Sequence, residues 1–352
     1  MGDGEGWLDA DPDAVDVVSA GLRRYRVALG DDPEAPDGSL RLPVIVARGG
    51  EGPTVLVAGG THGDEFEGQI AVSNLARSLD PARLNGTIVA LPLHNPPACR
   101  AGSRRTPRDG SDLNRLYGTA SAGDGPAAAV ARFVSAVLLP AADWVVDLHS
   151  GGCAHEFVPS ANLQAAVGSA ECDAMLPALL SFDAPYAIVF DEAEAGGLAM
   201  PHAGTLEGLA RRMGKRALSS ELGGGGRATP QSLAVAERGL SNLLAHIGVR
   251  DGPAPGAIAA PRSQLVALSR PEHHVPAPAT GRLAPRVWLG DRVRRGDVLG
   301  RIHPLEDPLA APVPVRALSD GVVVAAASRG LQREGAALFY VAEPIARDAR
   351  AG

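Results

Sequence analysis

Lysine is almost missing from the 352-residue chain: Lys215 is the single one among 33 basic residues, and the rest are arginine. Cysteine is nearly as sparse. Cys99, Cys153 and Cys172 stand far apart with no CxxC pair. An odd, scattered set excludes a disulfide framework and points to a reducing compartment, the cytoplasm. Aromatic residues make up only 4%, so a core must be built from Ala, Val and Leu. No apolar run approaches the roughly 18 residues that a membrane helix needs. The opening MGDGEGWLDADPDAVDVV is acidic and lacks a basic stretch followed by an apolar one, so no signal peptide is expected. Gly6 stands where a myristoylation motif wants Ser or Thr. Basic excess is missing too. The formal net charge of -7 argues against a general nucleic-acid binder, which needs a basic face.

What is present reads as an ordinary globular chain, with 45% hydrophobic and 21% charged residues. Glycine and proline are plentiful but not periodic, which excludes a collagen-like chain. The length suggests about two domains at about 150 residues each. After an acidic lead-in and short strands, PTVLVAGG, TIVALPLHN and WVVDLHSGG are continuous apolar runs of strand length, as in strands buried on both faces. They alternate with helical patterns: GQIAVSNLARSLD, GPAAAVARFVSAVLLPAA, LQAAVGSAECDAMLPALLS, TLEGLARRMG and TPQSLAVAERGLSNLLAHIGV. Alternation of this kind implies an α/β fold with a largely parallel sheet flanked by helices. We read residues 1–250 as a catalytic unit, 251–261 as a Pro/Gly/Ala linker, 262–345 as a small all-β, barrel-like domain and 346–352 as a tail.

In parallel sheets the ligand sits at the strands' C-terminal ends, and the polar, glycine-flanked clusters fall there. His62 and Glu65 lie on a strand-to-helix turn whose glycines allow both side chains to face one ion. His149 ends another buried strand and completes two histidines and a carboxylate, a donor set suited to zinc with one position left for water. An isolated HxxE is common by chance; the weight comes from both pieces lying at strand ends beside glycine turns. Asp147 shares a strand face with His149, and fits either a ligand-orienting carboxylate or an ordinary buried one bonded to a turn amide. Glu221, before four glycines, fits either a proton acceptor or a cap or salt-bridge partner. Arg104, Arg105 and Arg108, then Asn114 and Arg115, form a basic loop. Guanidinium forks suit a substrate carboxylate or an oxyanion; a solvated loop is the plain alternative.

GGTHGDEFEG, AGSRRTPRDGSDLNR, DLHSGG and SELGGGG, in this order, resemble the succinylglutamate desuccinylase/aspartoacylase family of the zinc carboxypeptidase-like superfamily. Within it the likeness is to the subgroup that deacetylates N-acetyl-L-2,4-diaminobutyrate in ectoine breakdown. The resemblance implies one zinc ion per chain on His62, Glu65 and His149, and Glu221 as general base. It also implies Asn114 and Arg115 on the substrate carboxylate. The oxyanion arginine falls on Arg104, with Arg108 as the alternative; the family spacing itself lands on Pro107, so this loop is longer. The substrate is then a small N-acyl amino acid, with no nucleic acid or membrane partner and a homodimer as the expected assembly.

Two other activities share the metal set: deacylation of a different N-acyl amino acid, and a metallocarboxypeptidase. A carrier reading also suggests itself, because GDRVRRGDVLGRI and SDGVV look like biotinyl or lipoyl barrels. It fails because residues 262–345 hold no lysine to bear the group. His273 and His274 read as surface residues. A substrate ammonium would need an acidic partner, and Glu156, Asp191, Glu192 and Glu194 are the candidates.

Overall fold

A computed structural model describes residues 6–119, 123–191, 204–251 and 262–345. Four strands run parallel at its centre, in the order Thr87–Leu91, Thr54–Gly59, Trp144–His149 and Arg216–Glu221. The first three are buried along their whole length, as their unbroken apolar runs require. One sheet face is covered by the helices Phe66–Ser78, Ala170–Ser181 and Pro230–Ile247, through Val72, Leu75, Leu179 and Leu243. The other is covered by Pro126–Phe133 and Leu206–Arg212, through Val130, Phe133, Leu206 and Ala210.

The sheet is mixed beyond this centre. An antiparallel hairpin of Gly21–Asp31 and Ser39–Arg48 extends it on one side. On the other, Ser160–Gln164 pairs antiparallel with Arg216–Glu221, and Tyr186–Phe190 and Gln264–Leu268 follow in parallel. Ala337–Pro344 and Gly321–Ala327 then carry the same sheet into the C-terminal strands. A second, four-stranded antiparallel sheet holds Gly281–Pro285, Val298–His303, Val313–Arg316 and Leu331–Gln332. The α/β core with an all-β C-terminal part agrees with the sequence expectation.

Several details differ from that expectation. The segment expected as one helix from Leu163 is a strand, Ser160–Gln164, and then a helix, Ala170–Ser181. Short apolar runs look alike in both states. The helix begins only where the Ser169 side chain accepts the Cys172 amide. The expected helix over 125–142 holds, but a π turn interrupts it at Val134–Leu138. Pro140, just beyond, has no N–H to continue a regular ladder. His273 is not a surface residue: it is fully buried, and the Ser269 amide donates to its Nδ1 at 3.0 Å. The turn Pro271–His273 folds the chain back onto those amides, and burial pushes the imidazole down to about 4. Its neighbour His274 is half-buried, edge-on to Tyr340 with ring centroids 4.8 Å apart.

Two glycines set how closely the helix Phe66–Ser78 approaches the sheet. A Cβ on Gly68 would lie 2.4 Å from the Leu148 carbonyl oxygen, and one on Gly59 would lie 2.4 Å from the Gly68 oxygen. The helix start, with Glu65 at its N-cap, therefore rests directly on the strand that ends in His149. We expect Gly68→Ala to destabilise the fold by about 1–3 kcal/mol through overpacking against backbone that cannot yield. Denaturant unfolding measures this; stability equal to the unsubstituted protein would contradict it.

Candidate active site

The turn after Thr54–Gly59 and the ends of Trp144–His149 and Arg216–Glu221 converge on one buried cluster. His62, Glu65 and His149 are 3%, 2% and 6% exposed. Their ligating atoms all lie within 4.8 Å of one another. Glu65 Oε1 is 2.7 Å from His62 Nδ1, and Oε2 is 2.8 Å from His149 Nδ1. The far nitrogen of each ring meets a carboxylate: His149 Nε2 is 2.9 Å from Asp147 Oδ2, and His62 Nε2 is 3.0 Å from Asp112 Oδ1. Each imidazole thus sets its Nε2 against a buried carboxylate and its Nδ1 inward against Glu65, so that with the proton held on Nε2 the Nδ1 is the atom available to a cation. This is the arrangement that orients histidines on a metal.

Electrostatics follow from this geometry. Burial alone would raise the Glu65 carboxyl, but the two imidazoles hold it well below the usual range. Burial likewise opposes charge on His149, while Asp147 and Glu65 raise it well above 6.5. Asp112 is held low by His62 and by Arg104 and Arg115, against its burial.

Glu221 pairs in register beside His149. Burial and then the Glu65 charge push its carboxyl up to about 8, opposed by His149 and Arg104. Its Oε2 is buried with no hydrogen-bond partner among the described residues. An orphaned carboxylate oxygen is costly, and facing a donor set of this kind it is where a cation or a proton would settle. The residues present therefore fit a bound zinc ion.

Arg104 Nη1 lies 3.3 Å from Glu65 Oε1, and its Nη2 lies 3.5 Å from Asp112 Oδ2. Those carboxylates and Glu221 raise its pKa further, against burial. Arg115 lies close enough to Arg104 for the two cations to repel, and donates to the Asn114 carbonyl at 2.6 Å. Asn114 is buried, with Oδ1 accepting from the Leu206 amide at 2.9 Å and Nδ2 at 3.3 Å from His149 Nε2. The loop arginines separate: Arg104 joins the cluster, while Arg105 and Arg108 are exposed. Among the acidic candidates for a substrate ammonium, Glu156 is 3.7 Å from Arg227, and Asp191 is buried, accepting the Val167 amide at 2.7 Å. Glu192 and Glu194 lie outside the described residues.

Sequence reasoning missed six contributors. Asp112 sits within the quoted DLNR stretch, and its spacing before Asn114 was the available signal. Thr61, His94 and Tyr117 form a buried chain behind Asp147, described below. Glu207 is buried beside Asp147, which together with burial raises its carboxyl. Tyr340 arrives from the C-terminal strands; burial raises its phenol, and the nearby Glu221 charge adds to this. No local pattern marks it, because its strand is brought in by Gly321–Ala327, which pairs with both Ala337–Pro344 and His155–Phe157. Phe157 stacks on Tyr340 at 5.7 Å between centroids.

Residues 51–247, more than half of the chain, match the succinylglutamate desuccinylase/aspartoacylase catalytic domain. The chain belongs to the succinylglutamate desuccinylase/aspartoacylase family. All the site residues expected from the sequence, from His62 to Glu221, fall inside the family's catalytic-domain match. An N-alpha-acetyl-L-2,4-diaminobutyric acid deacetylase of Halomonas elongata is 35% identical over 94% of both chains. A succinylglutamate desuccinylase/aspartoacylase structure from Rhodobacter sphaeroides superposes with a TM-score of 0.85 at 33% identity, covering 95% of this chain and 98% of that one. The product-bound ectoine utilization protein EutE (DoeB) of Ruegeria pomeroyi gives 0.82 at 30% identity, over 94% and 98%. The family likeness therefore runs past the catalytic domain into the C-terminal strands.

Asp112→Ala leaves the His62 Nε2 without its carboxylate partner. Zinc binding is expected to weaken by about 10- to 100-fold, as for other lost outer partners of metal-bound histidines. Competition against a chromophoric chelator reads this directly; unchanged affinity would remove Asp112 from the site.

Proposed function

We propose that the chain is a zinc-dependent amidohydrolase that deacetylates N-acetyl-L-2,4-diaminobutyrate, a step of ectoine breakdown. One observation carries the reading: the orphaned, buried Glu221 carboxylate faces a His62–Glu65–His149 donor set whose outer nitrogens are both fixed by carboxylates. The relative from Halomonas elongata, named as a deacetylase of that compound, supports the choice of substrate. So does the likeness to EutE. No helix among the described residues is long and apolar enough to cross a membrane, and the three cysteines are free, in keeping with a cytoplasmic enzyme of small-molecule metabolism.

His62, Glu65 and His149 would hold the zinc, which when bound supplies Lewis acidity toward water and an acyl oxygen. The chain's own groups do the remaining work. Arg115 and Asn114 hold the substrate α-carboxylate, drawn in by the paired cations of Arg104 and Arg115. Glu221 takes one proton from the attacking water as oxygen bonds to the acyl carbon. A cation on the neighbouring donor set draws the Glu221 carboxyl down from its raised pKa, so that it starts this step ionised. The Arg104 guanidinium neutralises the oxyanion that develops. Glu221 then returns its proton to the amide nitrogen as the C–N bond breaks, releasing acetate and the free amine.

Elemental analysis should find about one zinc per chain, as one three-ligand site requires. Among N-acetyl and N-succinyl amino acids assayed by amine release, N-acetyl-L-2,4-diaminobutyrate should be hydrolysed fastest. Preference for an N-succinyl compound, or for peptides, would overturn the substrate assignment. Glu221→Ala should keep its zinc while losing about 100- to 10,000-fold in kcat, the range for a general base. Near-normal turnover in that variant would sink the mechanism.

A further inference from the structure

Behind the donor set lies a chain of buried hydrogen bonds that the proposed chemistry does not use. Tyr117 Oη is 2.6 Å from His94 Nε2, His94 Nδ1 is 2.8 Å from Thr61 Oγ1, and Thr61 donates to Asp147 at 2.8 Å. His94, Thr61, Tyr117 and Asp147 are all fully buried. Four polar groups in so dry a place need a function or a full set of partners.

The proton order along the chain is forced. Asp147, a carboxylate, has no proton to give, and takes Thr61's only one. Thr61 must then accept, so His94 carries its proton on Nδ1. The His94 Nε2 is left as a lone pair, and the Tyr117 hydroxyl fills it. Burial pushes His94 down to about 4 and the Tyr117 phenol well above 10, so both stay neutral and the order has no competing charge state. Without the Tyr117 hydroxyl, His94 could move its proton to Nε2, and Thr61 would then turn its own proton away from Asp147.

We propose that Tyr117, His94 and Thr61 act as a positioning relay: they hold the Asp147 carboxylate, and through it the His149 ring, with Nδ1 turned toward the metal site. This rests on the reading of His149 as a zinc ligand. Tyr117 reaches that ligand only through three intervening groups, so its effect on the metal separates a relay from ordinary contact.

The test measures zinc affinity of the full-length protein by competition with a chromophoric chelator, with circular dichroism to check folding. Thr61→Val keeps the shape but removes the hydroxyl, and should raise the zinc dissociation constant about 10- to 100-fold. Thr61→Ser restores the hydroxyl and should restore the affinity. Tyr117→Phe should raise the constant in the same direction by a smaller factor, and carries the test should Thr61→Val not fold. A relay that served only core stability would lower the unfolding temperature and leave zinc affinity within about twofold of the parent; with second-partner losses running at 10-fold or more, that result overturns the proposal. Parent protein that takes up no zinc overturns the metal reading itself, and this inference with it.

Discussion

The site is organised by the Glu65 carboxylate held between two imidazoles in a place that water barely reaches. A buried charge is tolerable only when it is paired and fully hydrogen-bonded. Glu65 meets that condition by bonding His62 and His149 at once, with the Ser150 amide adding a third donor at 3.2 Å. The histidines in turn need Asp112 and Asp147, and Arg104 spans Glu65 and Asp112. Removing any one member exposes the charge of the next. The cluster is therefore a unit whose members do not contribute additively.

That unit exists only because the backbone brings two strand ends and a helix start to one point. Parallel strands place their C-terminal ends side by side, and Gly59 and Gly68 let the helix descend until backbone meets backbone. A side chain at either position would displace Glu65 from His149. The chemistry of the carboxylate and the absence of two Cβ atoms are in this sense one constraint.

Much of this was legible from sequence. His62, Glu65, His149, Asp147 and Glu221 stand where apolar strand runs meet glycines, and the structure brings all five together. Alternating strands and helices gave the sheet and the place of the site. What remained hidden is of three kinds. Asp112 lay in plain view inside a basic loop, and the surrounding arginines masked a carboxylate whose partner is fifty positions away. Arg104 could not be separated from Arg108 because loop length, not residue type, decides which one points inward. His273 and the strand Ser160–Gln164 were misread because a short segment carries too little periodicity to report burial or state. Long-range contacts such as Tyr340 with Phe157 leave no local trace at all.

The pairing of His155–Phe157 with Gly321–Ala327 has an evolutionary consequence. Three residues that follow the DLHSGG turn pair with Gly321–Ala327 among the C-terminal strands, and Tyr340 of the neighbouring strand stacks on Phe157. The two parts are sewn together by strand exchange and not merely joined end to end. A recombination event that swapped the C-terminal strands for those of a distant relative would cut hydrogen bonds on both sides of the seam. Such parts are expected to be inherited together, and to change their substrate by drift at the seam and not by shuffling.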